Sequence, residues 1–207
     1  MNYTYKEVKR MVLSLIGQYT LAGENIPLTY NNQEDYVNQI AFRINEARMQ
    51  IRTTAKPETV QCLLQNHTMF GGMRKYRLPD DCAGIQSGSV IAVKDGHAFP
   101  AYGWHTVADD FILVPNDGAD YLLTYQRMPA QIPADAADDF PITEDPDVMQ
   151  AAVYFAAAQL VRMDSAYDYA ALNNEYNDRL QRMAAPVHAE IGSVMDVNGW
   201  RWGGVQA

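Results

Sequence analysis

The chain has 207 residues, 48% of them hydrophobic, and a formal net charge of −9. That is enough apolar material to bury a core, which excludes a disordered chain, and the length fits one large domain or two small ones. The acidity argues against a grip on a phosphate backbone, which needs a basic patch, although like charge lets a protein surround nucleic acid without adhering to it.

The charge is local. Between Met128 and Val161 stand Asp135, Asp138, Asp139, Glu144, Asp145 and Asp147 with no Lys or Arg, which is −6 of the −9. No apolar run reaches about 18 residues, so no membrane span is expected. The opening MNYTYKEVKRMVLSLIGQYTL carries charges at helical spacing. It is read as a helix rather than a signal peptide, in a chain made in a cytoplasm. Cys62 and Cys82 are too few for a disulfide framework or a metal set and are read as reduced, partly buried thiols.

In chain order, Val8, Met11, Val12, Leu15, Ile16 and Tyr19 predict a helix over Tyr5–Tyr19, with Gly17 and Gly23 near its end. Val37, Ile40, Ile44, Ala47 and Ile51 form one stripe of a second helix, Asn32–Arg52. Arg43, Arg48, Arg52 and Lys56 fall on other faces, which reads first as a solvated helix surface. A contact with acidic neighbouring subunits or with DNA is the functional reading. After Pro57 come short apolar or alternating runs, divided by Asp95-Gly96 and Asn116-Asp117-Gly118, which favour tight hairpins. Glu58–Met128 therefore reads as an antiparallel sheet or small sandwich.

The segment RMPAQIPADAADDFPITEDPDV, Arg127–Val148, has four prolines and six acidic residues. It is expected to return the chain to the helical part. Asp145, Pro146 and Asp147 then predict a helix start. Val148, Ala152, Phe155, Gln159 and Met163 share a face, and Ala156-Ala157-Ala158 permits close backbone approach. After Asp164-Ser165 a further stripe, Tyr169, Leu172, Tyr176, Leu180 and Met183, completes an αα-hairpin. Beyond Pro186 no period organises the chain.

The expected fold is α+β. A bundle of about four helices (1–56 and 130–185) holds an inserted antiparallel β-sheet or small sandwich (57–129), and an extended C-terminal tail (186–207) follows.

Catalytic signatures are missing from the sequence. His67, His97, His105 and His188 are scattered, so no zinc spacing exists. Phe70-Gly71-Gly72-Met73 lacks the Lys-Ser/Thr of a phosphate loop, and Ser87-Gly88-Ser89 is not a nucleophile elbow. Asp80-Asp81, Asp109-Asp110 and Asp138-Asp139 are carboxylate pairs in predicted turns, where Asp serves local hydrogen bonding. No cofactor, metal or catalytic residue is assigned. The chain also has 13 tyrosines, a residue suited to half-wet interfaces. In the tail, Trp200, Arg201 and Trp202 either fold back on their own domain or anchor on a partner.

Five features combine in order. Tyr76-Arg77-Leu78-Pro79-Asp80-Asp81-Cys82 opens the longer strands, and Tyr121-Leu122-Leu123-Thr124-Tyr125-Gln126-Arg127-Met128-Pro129 closes them. The acidic return then leads to the alanine-rich run Asp147–Ala158 and a helix carrying Tyr169, Ala170, Tyr176 and Leu180. This order resembles the head-to-tail adaptor (connector) proteins of tailed bacteriophages. The resemblance covers roughly Tyr5–Met183 and rests on packing and turn signals; Cys82 stands where that family often has an aromatic.

The resemblance implies a non-enzymatic ring, commonly a dodecamer, in the virion neck between capsid and tail. Such a ring sits below the portal, extends the DNA channel and gives the tail its platform. The implied partners are the portal protein, a tail or head-completion protein, other copies of the chain, and double-stranded DNA passing without specific binding. Trp200, Arg201 and Trp202 would dock on the portal, while Asp135, Asp138, Asp139, Arg43, Arg48 and Arg52 would line a subunit or lumen face. Two other readings start from the same residues. One is a non-catalytic binding or regulatory module of a bacterial complex; the other is a hydrolase using the Asp pairs or Glu24 and Glu34.

Overall fold

The architecture comes from a computed structural model that describes residues 1–17, 32–86, 88–108, 110–162 and 169–184. The expectations for Tyr19, Glu24, Ser87, Asp109, Met163, Asp164-Ser165 and the tail lie outside these residues.

A short strand, β1 (Asn2–Thr4), runs directly into helix α1 (Tyr5–Leu15). A capping box sets the boundary. Thr4 Oγ1 accepts from the Glu7 amide at 3.3 Å, and the Glu7 carboxylate accepts from the Thr4 amide at 2.7 Å. The helix stops at Leu15, short of the expected Tyr19, because Gly17 turns to φ +66°. Helix α2 (Asn32–Thr54) buries Ile40, Ile44, Ala47 and Ile51 completely, as its stripe predicts.

Helix α3 (Pro146–Val161) begins at the expected cap: Asp145 accepts from the Asp147 amide at 2.9 Å, and Pro146 opens the helix. Its buried surface is wider than the one predicted face. Ala151, Val153, Ala156, Ala157, Ala158 and Leu160 are buried as well. The helix touches α1, α2 and the last helix, α4 (Tyr169–Ala184), so it is surrounded. Against α4 it runs antiparallel: Phe155 meets Tyr176 edge-on at 5.1 Å, and Gln150 accepts from Arg179 at 2.7 Å. Together the four described helices build one hydrophobic core.

The inserted part carries β2 (Glu58–Leu63), β3 (Thr68–Phe70), β4 (Met73–Arg77), β5 (Cys82–Gly84), β6 (Val90–Lys94), β7 (His97–Pro100), β8 (His105–Val107), β9 (Phe111–Val114) and β10 (Asp120–Arg127). All pairings are antiparallel. One sheet has the order β2-β10-β6-β7, with β5 also on β10; the other has the order β3-β4-β9-β8. Tyr76, Ile112 and Val114 from the second sheet meet Val90, Ala92, Tyr121, Leu123 and Tyr125 from the first, so this core is that of a small sandwich.

Asp95 (φ 51°) and Gly96 (φ 79°) make the predicted tight hairpin between β6 and β7. Asn116–Gly118 does not: β9 and β10 belong to different sheets, so this turn is a crossover. Its Asp117 carboxylate lies 2.8 Å from the Tyr121 hydroxyl and accepts from the Ala119 amide at 3.0 Å. The fold class is thus α+β, with four described helices and antiparallel sheets.

The acidic return is more than a connection. Its Pro141–Thr143 forms β11, which pairs antiparallel with β1 through Tyr3 opposite Ile142. Ile132 and Ile142 from the return enter the helical core.

Candidate functional site

The most organised cluster of charge sits where the return segment crosses α2. Arg48 and Arg52 stand one turn apart on α2 and converge on Glu144. Arg48 Nε donates to Glu144 Oε2 at 2.8 Å, and Arg52 Nη2 reaches Glu144 Oε1 at 2.5 Å. The Asp145 amide also donates to Glu144 Oε1, at 2.9 Å. The side chains of Arg48 and Glu144 are only 3% and 2% exposed. Burial alone would raise the Glu144 carboxyl, but the hydrogen bonds from Arg48 and the Asp145 amide, with the Arg48 and Arg52 charges, hold it below the ordinary glutamate value.

Further bonds fasten the same segment. Arg48 Nη1 donates to the Ala130 carbonyl at 2.7 Å. The Asn45 amide donates to the Ile132 carbonyl at 2.8 Å and accepts from the Ile132 N–H at 2.9 Å. Asn45→Leu removes both partners of a part-buried backbone unit and is expected to cost about 1–3 kcal/mol. Urea unfolding measures this. An unchanged midpoint would mean that the return segment does not depend on this anchor.

The charges continue into the sandwich. Arg52 stands 3.8 Å from Glu58 at the start of β2, and Glu58 pairs with Arg127 at the end of β10. The Met128 amide donates to the Asp81 carbonyl at 2.8 Å. Tyr125 donates to the Asp81 carboxylate at 2.9 Å; burial first, then this bond, pushes the phenol up to about 12. Between the helical body and the sandwich lies a cleft of about 620 Å³, with Arg48, Glu58, Asp81 and Arg127 among its walls.

Each residue singled out from sequence has a definite place. Arg48 and Arg52 do not lie on a solvated helix surface; both are turned inward onto Glu144, which corrects that expectation. Arg43 is half-buried, pairs with Glu46 at 3.1 Å and lies over the Phe42 ring. Asp138 pairs with Lys9 of α1, and Asp135 and Asp139 are exposed. Trp200, Arg201 and Trp202 lie outside the described residues.

Sequence reasoning missed Asn45 outright, and for two residues it had named it missed the partners: Glu144 takes Arg48 and Arg52, and Lys56 holds Asp145 at 2.9 Å and Asp147 at 3.2 Å. One signal was available for Arg48: it stands four residues after Ile44 and three before Ile51, inside the apolar stripe, where an Arg requires a buried partner.

Chemically the cluster fastens elements together. Burial is the leading cause raising both the Cys62 and the Cys82 thiols, away from the reactive thiolate. Among the described residues no group of three or more His, Cys, Asp or Glu has the placement of a metal site, and no helix is long and apolar enough to cross a membrane. No protein-family model matches the chain, and no curated protein matches it.

Proposed function

We propose that the protein is a structural head-to-tail adaptor of a tailed phage, without catalytic activity, that assembles as a ring below the portal. The ring extends the DNA channel and offers the tail its attachment platform. The observation that carries the reading is how the acidic return is used. Four of its six carboxylates (Asp138, Glu144, Asp145 and Asp147) are matched to cations of the helical body. Their charge therefore fastens the return to the helical body, and Arg52, 3.8 Å from Glu58, carries the network to the foot of the sandwich. Such a coupled two-part subunit suits a ring whose body and insertion meet different neighbours. The order of parts that resembles the adaptors supports the same reading.

The test is a pelleting assay with the portal protein of the same genome, over a range of salt. Saturable co-sedimentation is expected, and removal of residues 198–207, with Trp200 and Trp202, is expected to abolish it. No co-sedimentation at any salt would overturn the portal reading.

A further inference from the structure

Two exposed surfaces of the chain are complementary in charge and both apolar at their centres. The first is on α2. Phe42 is 63% and Met49 36% exposed, and their spacing of seven places them on one face of the helix. Asn45, between them, binds Ile132 and so lays the acidic return alongside this face. Asp135 and Asp139 follow on the return, exposed and without an ion-pair partner among the described residues. The surface is an apolar ridge, with the Arg43–Glu46 pair at its Phe42 end and Asp135 and Asp139 along its border.

The second surface is the β3–β4 hairpin. Its sequence, Thr68–Arg77, holds Arg74, Lys75 and Arg77 and no acidic residue. Strand β3 is the edge of its sheet, with all three residues exposed; Met69 is 53% and Phe70 59% exposed. The Lys75 ammonium lies 3.7 Å from the Phe111 ring centre and 5.9 Å from that of Phe70, and has no carboxylate partner among the described residues. Among the described residues Arg74 binds only neutral oxygens, Asn116 Oδ1 and the Ala119 carbonyl. Arg77 meets Asp80 in a fully solvated pair, which screening leaves weak.

We infer that the β3–β4 hairpin of one copy docks on the Phe42–Met49 ridge and acidic return of the next. The occupant is a second copy of this chain because the chain carries both halves of the match. Hairpin against hairpin sets cation against cation, and ridge against ridge sets carboxylate against carboxylate. The contact is therefore heterologous, running head to tail, which is the arrangement a ring needs. The inference rests on the ring reading but assigns its surfaces independently of the portal.

The test uses two charge-reversed full-length chains, K75E/R77E and D135K/D139K, and sedimentation velocity over a range of concentration at low salt. Wild type is expected to self-associate and to lose association as salt rises. Each variant alone is expected to associate more weakly by on the order of tenfold. An equimolar mixture should recover association, since the reversed hairpin of one chain meets the reversed return of the other, and their two native faces meet each other. F42S and F70S are expected to weaken association without such rescue. Wild type that stays monomeric, variants that associate as wild type does, or a mixture that fails to recover would each overturn the assignment. If the surfaces fail while wild type still pellets with the portal, the ring reading stands without them. If the swap behaves as expected but the portal is ignored, only the portal reading falls.

Discussion

Glu144→Ala is expected to lower the unfolding free energy by about 3–5 kcal/mol, because it strands the buried Arg48 guanidinium without its counter-charge. The cost is large because both cations are buried: the Arg48 side chain is 3% exposed, and that of Arg52 beside it 9%. Two cations would then face each other across an empty position. Replacing Arg48 and Glu144 together by Met and Leu removes both charges and is expected to recover much of the loss. Denaturant unfolding of the single and double variants gives the coupling directly. A Glu144→Ala chain as stable as wild type would contradict the buried clasp.

The same carboxyl sets a pH dependence. Its folded value is depressed below the ordinary 4.5, so the unfolded chain binds the proton more tightly. The stabilisation is complete above pH 4.5 and is lost as pH falls through the lower folded value. Asp145 is depressed in the same sense: burial opposes the shift, and the Lys56 hydrogen bond and the Asp147 amide drive it. Wild type should therefore hold its denaturation midpoint from neutral pH down to the ordinary carboxylate range and lose it below. Glu144→Gln should start lower and fall less.

Leu123→Ala is expected to cost about 2–5 kcal/mol, since Leu123 is wholly buried in the sandwich core and truncation leaves a cavity. Its strand, β10, has β2 on one side and β6 on the other at this residue, so the surroundings have little freedom to collapse. The two cores share no residue. The loss should thus fall on the sandwich transition, with the helical signal melting nearer its original midpoint. A single cooperative melt shifted as a whole would show that the charged clasp transmits the full effect between the two parts.

These two residues also mark what the sequence makes legible. Leu123 sits in an alternating run, and Ile40, Ile44, Ala47 and Ile51 recur at helical spacing. Both patterns are local, and the structure buries both. The start of α3 was legible for the same reason, since Asp145-Pro146 caps through its own neighbours. Glu144 was hidden because its partners are 92 and 96 residues away, and no local pattern records such a distance. β1 and β11 were hidden because three residues carry no period, and what makes them strands is their pairing with each other. The crossover at Asn116–Gly118 has the residues of a hairpin turn, and only the sheet assignment of β9 and β10 distinguishes it. The wide burial of α3 was not legible because Ala satisfies a surface helix and a central helix equally.

The measurement that bears most directly on the central claim is electron microscopy of the portal protein mixed with this chain. The adaptor reading predicts a second ring, coaxial with the portal and seated on one of its ends, with the channel continuous through both. Portal particles that remain bare at saturating chain, or chain bound at scattered positions without a closed ring, would contradict it.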